Sequence, residues 1–183
     1  MSLLAISADF SATQLITRAD GLSGLVAAAG TRARVPFGNT SSRGAFEYVY
    51  ILNNTGGALV AGTVVSLDDA ASASFDYDVV SSAAGESSFR AVGVVQAGGI
   101  ANLKAGWVCA KGVVSVIVDA GGVAADAILS TPTASGVAGA LDNWDVTATT
   151  GHPDIGSTVV AQALEARGAT IAAQALCKVC FSA

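Results

Sequence analysis

Short apolar runs recur along the chain, separated by intervals rich in Gly, Asn, Asp and Ser. Residues 46–52 (Phe-Glu-Tyr-Val-Tyr-Ile-Leu), 59–67 (Leu-Val-Ala-Gly-Thr-Val-Val-Ser-Leu), 90–96, 106–110 and 113–118 are dominated by β-branched and aromatic side chains. Runs of that length and composition, bounded by residues that tolerate turn geometry, predict strands rather than helices. Shorter strands are expected at 77–81 and 127–130, alternation resumes over 155–164, and a last strand covers 174–182. Between the first two strands, Asn53-Asn-Thr-Gly-Gly57 is rich in residues that accept positive φ, and a hairpin turn is expected there. Ala120-Gly-Gly122 closes the 113–118 strand, and 142–154 is the longest polar insertion.

In the last strand a period of two sends Ala175, Cys177, Val179 and Phe181 to one face and Leu176, Lys178, Cys180 and Ser182 to the other. Cys177 and Cys180 therefore diverge, although they match C-x-x-C on paper. Residues 1–44 read differently. Phe10, Leu15, Ile16, Ala19 and Leu22 make only a weak helical stripe, and 31–44 carries Arg32, Arg34, Pro36, Phe37, Gly38 and Arg43 without a core of its own. The expected organisation is all-β: a compact β-barrel or sandwich body over 45–183, preceded by an extended docking arm over 1–44.

Composition sharpens this picture. Of the 183 residues, 52% are hydrophobic and 13% charged, about half the usual charged share of ~25%. So little charge leaves a free monomer short of polar cover, and the interfaces of a homo-oligomer are the expected way to bury the excess. The net charge of −5 disfavours binding to phosphate backbones, so nucleic acid is not an expected partner. The arm holds four arginines (Arg18, Arg32, Arg34, Arg43) against Asp9 and Asp20, whereas the remainder holds five basic and twelve acidic residues. A mildly basic arm suits an acidic protein neighbour. No stretch approaches the ~18 apolar residues of a membrane span, the N-terminus lacks the pattern of a signal peptide, and three cysteines give no disulfide framework. Assembly in a cytosol is the expectation, with no membrane partner.

Catalytic patterns do not emerge. The single histidine, His152, lies in Thr-Gly-His-Pro-Asp without a neighbouring nucleophile or further metal donors and reads as a turn residue. Cys177-Lys-Val-Cys180 sits in a β run, where a redox pair would need a helix N-terminus and zinc would need a second pair. Asp68, Asp69, Asp76, Asp78 and Glu86 cluster without the spacing of a calcium loop. Asn39-Thr-Ser41 and Asn53-Asn-Thr55 match the glycosylation sequon by chance composition. No catalytic, cofactor or metal residues are expected. Tyr48, Tyr50, Trp107 and Trp144 are the candidates for a sugar platform; Trp107 reads as core, and Trp144, in Asp142-Asn-Trp-Asp145, is the better candidate for a contact outside the fold.

The order of 48–54, Gly57-Ala-Leu-Val-Ala-Gly-Thr-Val-Val65, Ala91-Val-Gly-Val-Val95, Ala105-Gly-Trp-Val108, Lys111-Gly-Val-Val114 and Ile155-Gly-Ser-Thr-Val-Val-Ala-Gln-Ala163 resembles the small head-decoration, or cement, proteins of tailed bacteriophages. The resemblance spans residues 45–183 and rests on a rhythm of Gly and Val. It implies a non-enzymatic protein on the outer capsid surface, often trimeric, that clamps neighbouring major capsid proteins. The contact candidates are then Phe10, Leu15, Ile16, Arg18, Leu22, Arg32, Arg34, Phe37, Arg43 and Trp144. A tail or host-recognition spike component with a glycan-binding surface is the alternative.

Overall fold

The computed structural model describes residues 30–35, 45–53, 55–67, 78–81, 91–131, 137–144, 159–168 and 173–181. Among them no helix occurs, and the architecture is all-β. The strands are β1 (Arg32–Val35), β2 (Phe46–Asn53), β3 (Val64–Leu67), β4 (Asp78–Ser81), β5 (Ala91–Val95), β6 (Ala105–Ile117), β7 (Ile128–Ser130), β8 (Asp142–Asn143), β9 (Ala161–Ala163) and β10 (Gln174–Cys180). They form one mainly antiparallel sheet in the order β1-β2-β4-β3-β5-β6-β10-β9-β7-β8. A further antiparallel pairing joins β2 to β6, so the sheet curls back on itself between them. Among the described residues β1 and β8 remain edges, and the sheet they form does not close as a whole into a barrel.

The curl explains the unbroken Val runs. On its concave side Val49, Ile51, Val65, Val92, Val95, Val108 and Ala110 form one core. The opposite faces of the same strands supply Tyr48, Tyr50, Val64, Val94, Trp107 and Cys109 to a second. With both faces covered, β5 is buried at every position and β2 at four in succession, and no polar alternation survives in the sequence. β10 sits beyond the curl and covers one face only. Ala175, Cys177, Val179 and Phe181 are all buried, while Lys178 and Cys180 are exposed, as its alternation predicts.

Three local features depart from the sequence reading. First, the runs at 106–110 and 113–118 are one continuous strand, β6. Lys111 and Gly112 continue the ladder to β10 opposite Cys180 and Val179 instead of turning. The register slips between Glu47 and Tyr48, which face Lys111 and Cys109, so that Ala110 is the extra residue of a bulge. The slip changes which parity faces the second core: Ala105, Trp107 and Cys109 before it, Val114, Val116 and Val118 after it.

Second, the Asn53–Gly57 turn does not make a hairpin, because β2 does not pair with β3. β2 lies against β1, β4 and β6, and β3 against β4 and β5. Buried Asn53 dictates the exit. Its Nδ2 donates to the carbonyls of Gly57 at 2.9 Å and Ile100 at 2.8 Å, and its Oδ1 accepts from Thr55 N–H and Oγ1. The chain is thereby led to a bridge between Leu59 and Ile100 instead of back along β2.

Third, part of the expected arm belongs to the sheet. β1 pairs antiparallel with β2, Arg32 opposite Val49 and Arg34 opposite Glu47, and Ala33 is only 2% exposed. A four-residue strand with one small apolar residue between two arginines gives too little apolar signal to be read from periodicity. Residues 1–29 and 36–44 lie outside the described residues.

Candidate functional site

The expected contact residues divide by position. Phe10, Leu15, Ile16, Arg18, Leu22, Phe37 and Arg43 lie outside the described residues, as do His152 and the acidic residues Asp68, Asp69, Asp76 and Glu86. Arg32 and Arg34 stand on β1, both exposed. Trp144 follows β8 at the far edge of the sheet, half-buried. Its backbone N–H donates to Ile128 O at 2.8 Å, and its indole Nε1 is buried without a hydrogen-bond partner among the described residues. Arg32 and Arg34 are thus on one edge of the sheet order and Trp144 beside the other.

Charge gathers where β1, β2 and β6 run side by side. The register places Arg34 opposite Glu47 on β2, and Glu47 opposite Lys111 on β6, so a cation–anion–cation row crosses three strands. Arg32 reaches Glu47 as well, Nη1 to Oε1 at 2.5 Å. Both partners of this pair are about one-third exposed, so its net stabilisation is small, ~0–1 kcal/mol. Neither Arg34 nor Lys111 has an ion-pair partner among the described residues. A cleft of about 150 Å³ lies between them, lined by Arg34, Ala45, Phe46, Glu47 and Lys111.

A larger groove, about 400 Å³, opens between the curl and β10, with Phe46, Tyr48, Val113, Ser115, Gln96 and Gln174 in its walls. Phe46 and Tyr48 stack with centroids 6.1 Å apart. Gln174 Nε2 spans the groove to Ala61 O at 2.9 Å. Among the described residues that line it, Tyr48 alone is titratable, and burial pushes its phenol well above its ordinary value.

Two of the three thiols face inward. Burial pushes Cys109 and Cys177 up to about 12 from 9, with the charges of Glu47 and Glu165 respectively adding to it, so both stay protonated near neutral pH. Cys177 is buried and Cys180 exposed, which removes the C-x-x-C geometry. No group of three His, Cys, Asp or Glu side chains among the described residues is placed to hold a metal. Three of the aromatic candidates for a sugar platform are packed instead: Tyr48, Tyr50 and Trp107 are buried, and the Tyr50 and Trp107 rings lie 5.0 Å apart at 57°. Asn53, the first residue of a sequon match, is fully buried and inaccessible to modification.

Beyond the curl, the outer face of β6, β10, β9 and β7 is only partly polar. Ile128, Gln162, Lys178 and Val113 follow one another across it in register. Leu164 and Ile128 are each more than 40% exposed, and Leu176 is half-buried beside them. The chain matches no protein-family model and no curated protein sequence. Among the described residues no helix is long and apolar enough to cross a membrane.

Proposed function

We propose that this protein is a non-enzymatic decoration protein of a tailed-bacteriophage head, bound to the outer surface of the major capsid protein lattice as a homo-oligomer, most simply a trimer. The observation that carries the reading is the outer sheet face. Ile128, Leu164 and Leu176 lie on a side of the sheet whose opposite side is already core, with Lys178 among them and the Glu165–Arg167 pair beside Leu176. Such a face is stabilised by a protein surface laid over it. The Gly and Val rhythm that resembles cement proteins supplies the choice of partner, and the burial of the Cys109 and Cys177 thiols agrees with a protein that works by contact.

The test is to add the purified chain to expanded tailed-phage heads stripped of their own decoration protein and measure co-sedimentation and heat-induced DNA release. Saturable binding with delayed release is expected, weakened by Ile128→Asp or Leu164→Asp in a folded protein. Absence of binding across heads of several lattice types, with the oligomer intact, would sink the proposal.

A further inference from the structure

The backbone of β1 adds something that the charges alone do not. Tyr50 N–H donates to Thr31 O at 2.9 Å, and Gly30 N–H donates to Tyr50 O at 2.7 Å. This fixes the parity of the β1–β2 ladder: Thr31, Ala33 and Val35 turn their backbone groups toward β2. The other side of β2 agrees, because Asn53 exchanges bonds with Lys104 O and Leu103 N on the β6 side. Asn53, Ile51, Val49 and Glu47 therefore face β6, leaving Tyr48 and Phe46 for β1. The N–H and C=O groups of Arg32 and Arg34 consequently point away from the sheet, and among the described residues no strand pairs with that edge.

An edge with unpaired backbone groups is a template for a further strand, and charged side chains decide which strands it accepts. A second β1 laid antiparallel on this one would bring arginines against arginines, so the edge rejects a copy of itself. Arg32 is already matched by Glu47, while Arg34 and Lys111 stand unmatched on either side of the small cleft. Glu47 also lines that cleft but is held by Arg32, so an acidic side chain entering from the edge meets Arg34 first, with Lys111 two strands further in and positive charge in excess. We propose that β1 is a docking edge for an extended acidic segment of a partner protein, which adds to the sheet as a strand beside Arg32 and Arg34 and places a carboxylate between Arg34 and Lys111. The inference rests on reading the chain as an interface protein, and it names the chemistry of the partner at one edge.

The test uses the full chain and two synthetic peptides, acetyl-Val-Glu-Val-Asp-Val-Glu-Val-amide and the same peptide with Lys at every acidic position. Binding is followed by calorimetry and by exchange of the Arg32 and Arg34 amide protons. The acidic peptide is expected to bind with a dissociation constant below about 1 mM at low salt, slow both amides, and weaken with added salt. Arg34→Glu and Lys111→Glu are each expected to weaken it at least about tenfold. Arg34→Pro removes one outward N–H without touching the bonds to β2 and is expected to abolish it. Should Arg34→Pro lose the fold by circular dichroism, Lys111→Glu, which lies off the edge, carries the charge test and the amide exchange carries the strand test. No binding of the acidic peptide, equal binding of the Lys peptide, or unchanged affinity in a folded Arg34→Pro protein would each overturn the proposal. Peptide binding by a chain that fails on every capsid would leave this inference standing and remove the decoration reading alone.

Discussion

Asn53 Nδ2 donates to the carbonyl oxygen of Ile100, 47 residues further along the chain, at 2.8 Å in the interior. The same side chain holds Gly57 O and receives Thr55 N–H and Oγ1, so one amide links the exit of β2 to the segment before β6. Asn53→Ala is expected to cost about 2–3 kcal/mol, because four hydrogen bonds lose a buried partner while Ile100 O keeps only its bond from Leu59 N–H. Urea denaturation at neutral pH measures it. Asn53→Asp keeps an acceptor for Thr55 but turns a carboxylate oxygen toward two carbonyls, which raises its folded-state pKa. Its stability is then fullest below the ordinary carboxylate pKa and lost as pH rises through the raised value, so the variant is expected to be more stable at mildly acidic than at neutral pH.

Gly93 of β5 sits tight against β6. A Cβ there would lie 2.8 Å from Cys109 O and 2.9 Å from a methyl of Val108. One of these neighbours is backbone and cannot swing aside. Gly93→Ala is expected to destabilise by at least ~1–3 kcal/mol through overpacking, despite adding only a methyl group. A melting temperature equal to that of the parent would show that the curl has slack at this point.

Cys109 and Cys177 make stability depend on alkaline pH. Both thiols are raised, chiefly by burial, from 9 to about 12. A raised pKa means that the folded state holds its proton longer than the unfolded chain does. The stabilisation is complete below pH 9 and drains away between 9 and about 12, by up to ~1.4 kcal/mol per pH unit for each thiol at most. Cys177→Ala is expected to lower stability at pH 7 and to flatten the decline between pH 9 and 11. A slope unchanged by this substitution would mean that Cys177 already ionises in the folded chain.

The two cysteines of the last strand should respond oppositely to serine. Cys177 is fully buried against β6 and β9, its thiol 3.5 Å from Ala175 O, whereas Cys180 faces out. Cys177→Ser is expected to cost about 1–2 kcal/mol, since a hydroxyl is harder to bury than a thiol. Cys180→Ser is expected to stay within ~0.5 kcal/mol of the parent, as exposed substitutions usually do. Thermal unfolding under reducing conditions separates them.

How much of this was legible in the sequence depended on whether one face of a strand was left in water. β10 covers one face, so its alternation assigned Cys177 inward and Cys180 outward. β2 and β5 are buried on both faces, so their runs announced strands but not which residue faces which core. The pairing partners were not legible at all. Asn53-Asn-Thr-Gly-Gly57 has the composition of a hairpin turn, yet the Asn53 side chain redirects the exit toward Ile100, a bond no local window contains. β1 was hidden because an edge strand carrying two arginines has the composition of a linker. The Arg34–Glu47–Lys111 row was equally hidden, since it joins residues from three separate strands and depends on the bulge at Ala110.

β1 also changes how the expected arm should be tested. Cutting at residue 44 removes β1 together with any docking segment, taking Ala33 out of the core and leaving Tyr50 N–H without Thr31 O. A cut after residue 29 leaves Gly30–Val35 in place. Deletion of 1–44 is expected to lower stability by several kcal/mol, about one for each β1–β2 hydrogen bond lost, whereas deletion of 1–29 should change unfolding far less and still weaken attachment to capsids. The second deletion is the informative one, because Phe10, Leu15, Ile16, Arg18 and Leu22 go with it while the sheet edge stays. Measuring thermal unfolding and capsid occupancy on both truncations separates the cases. If loss of 1–29 destabilises as much as loss of 1–44, the segment belongs to the folded body; if it leaves occupancy unchanged, docking rests on the sheet and the segment is a passenger.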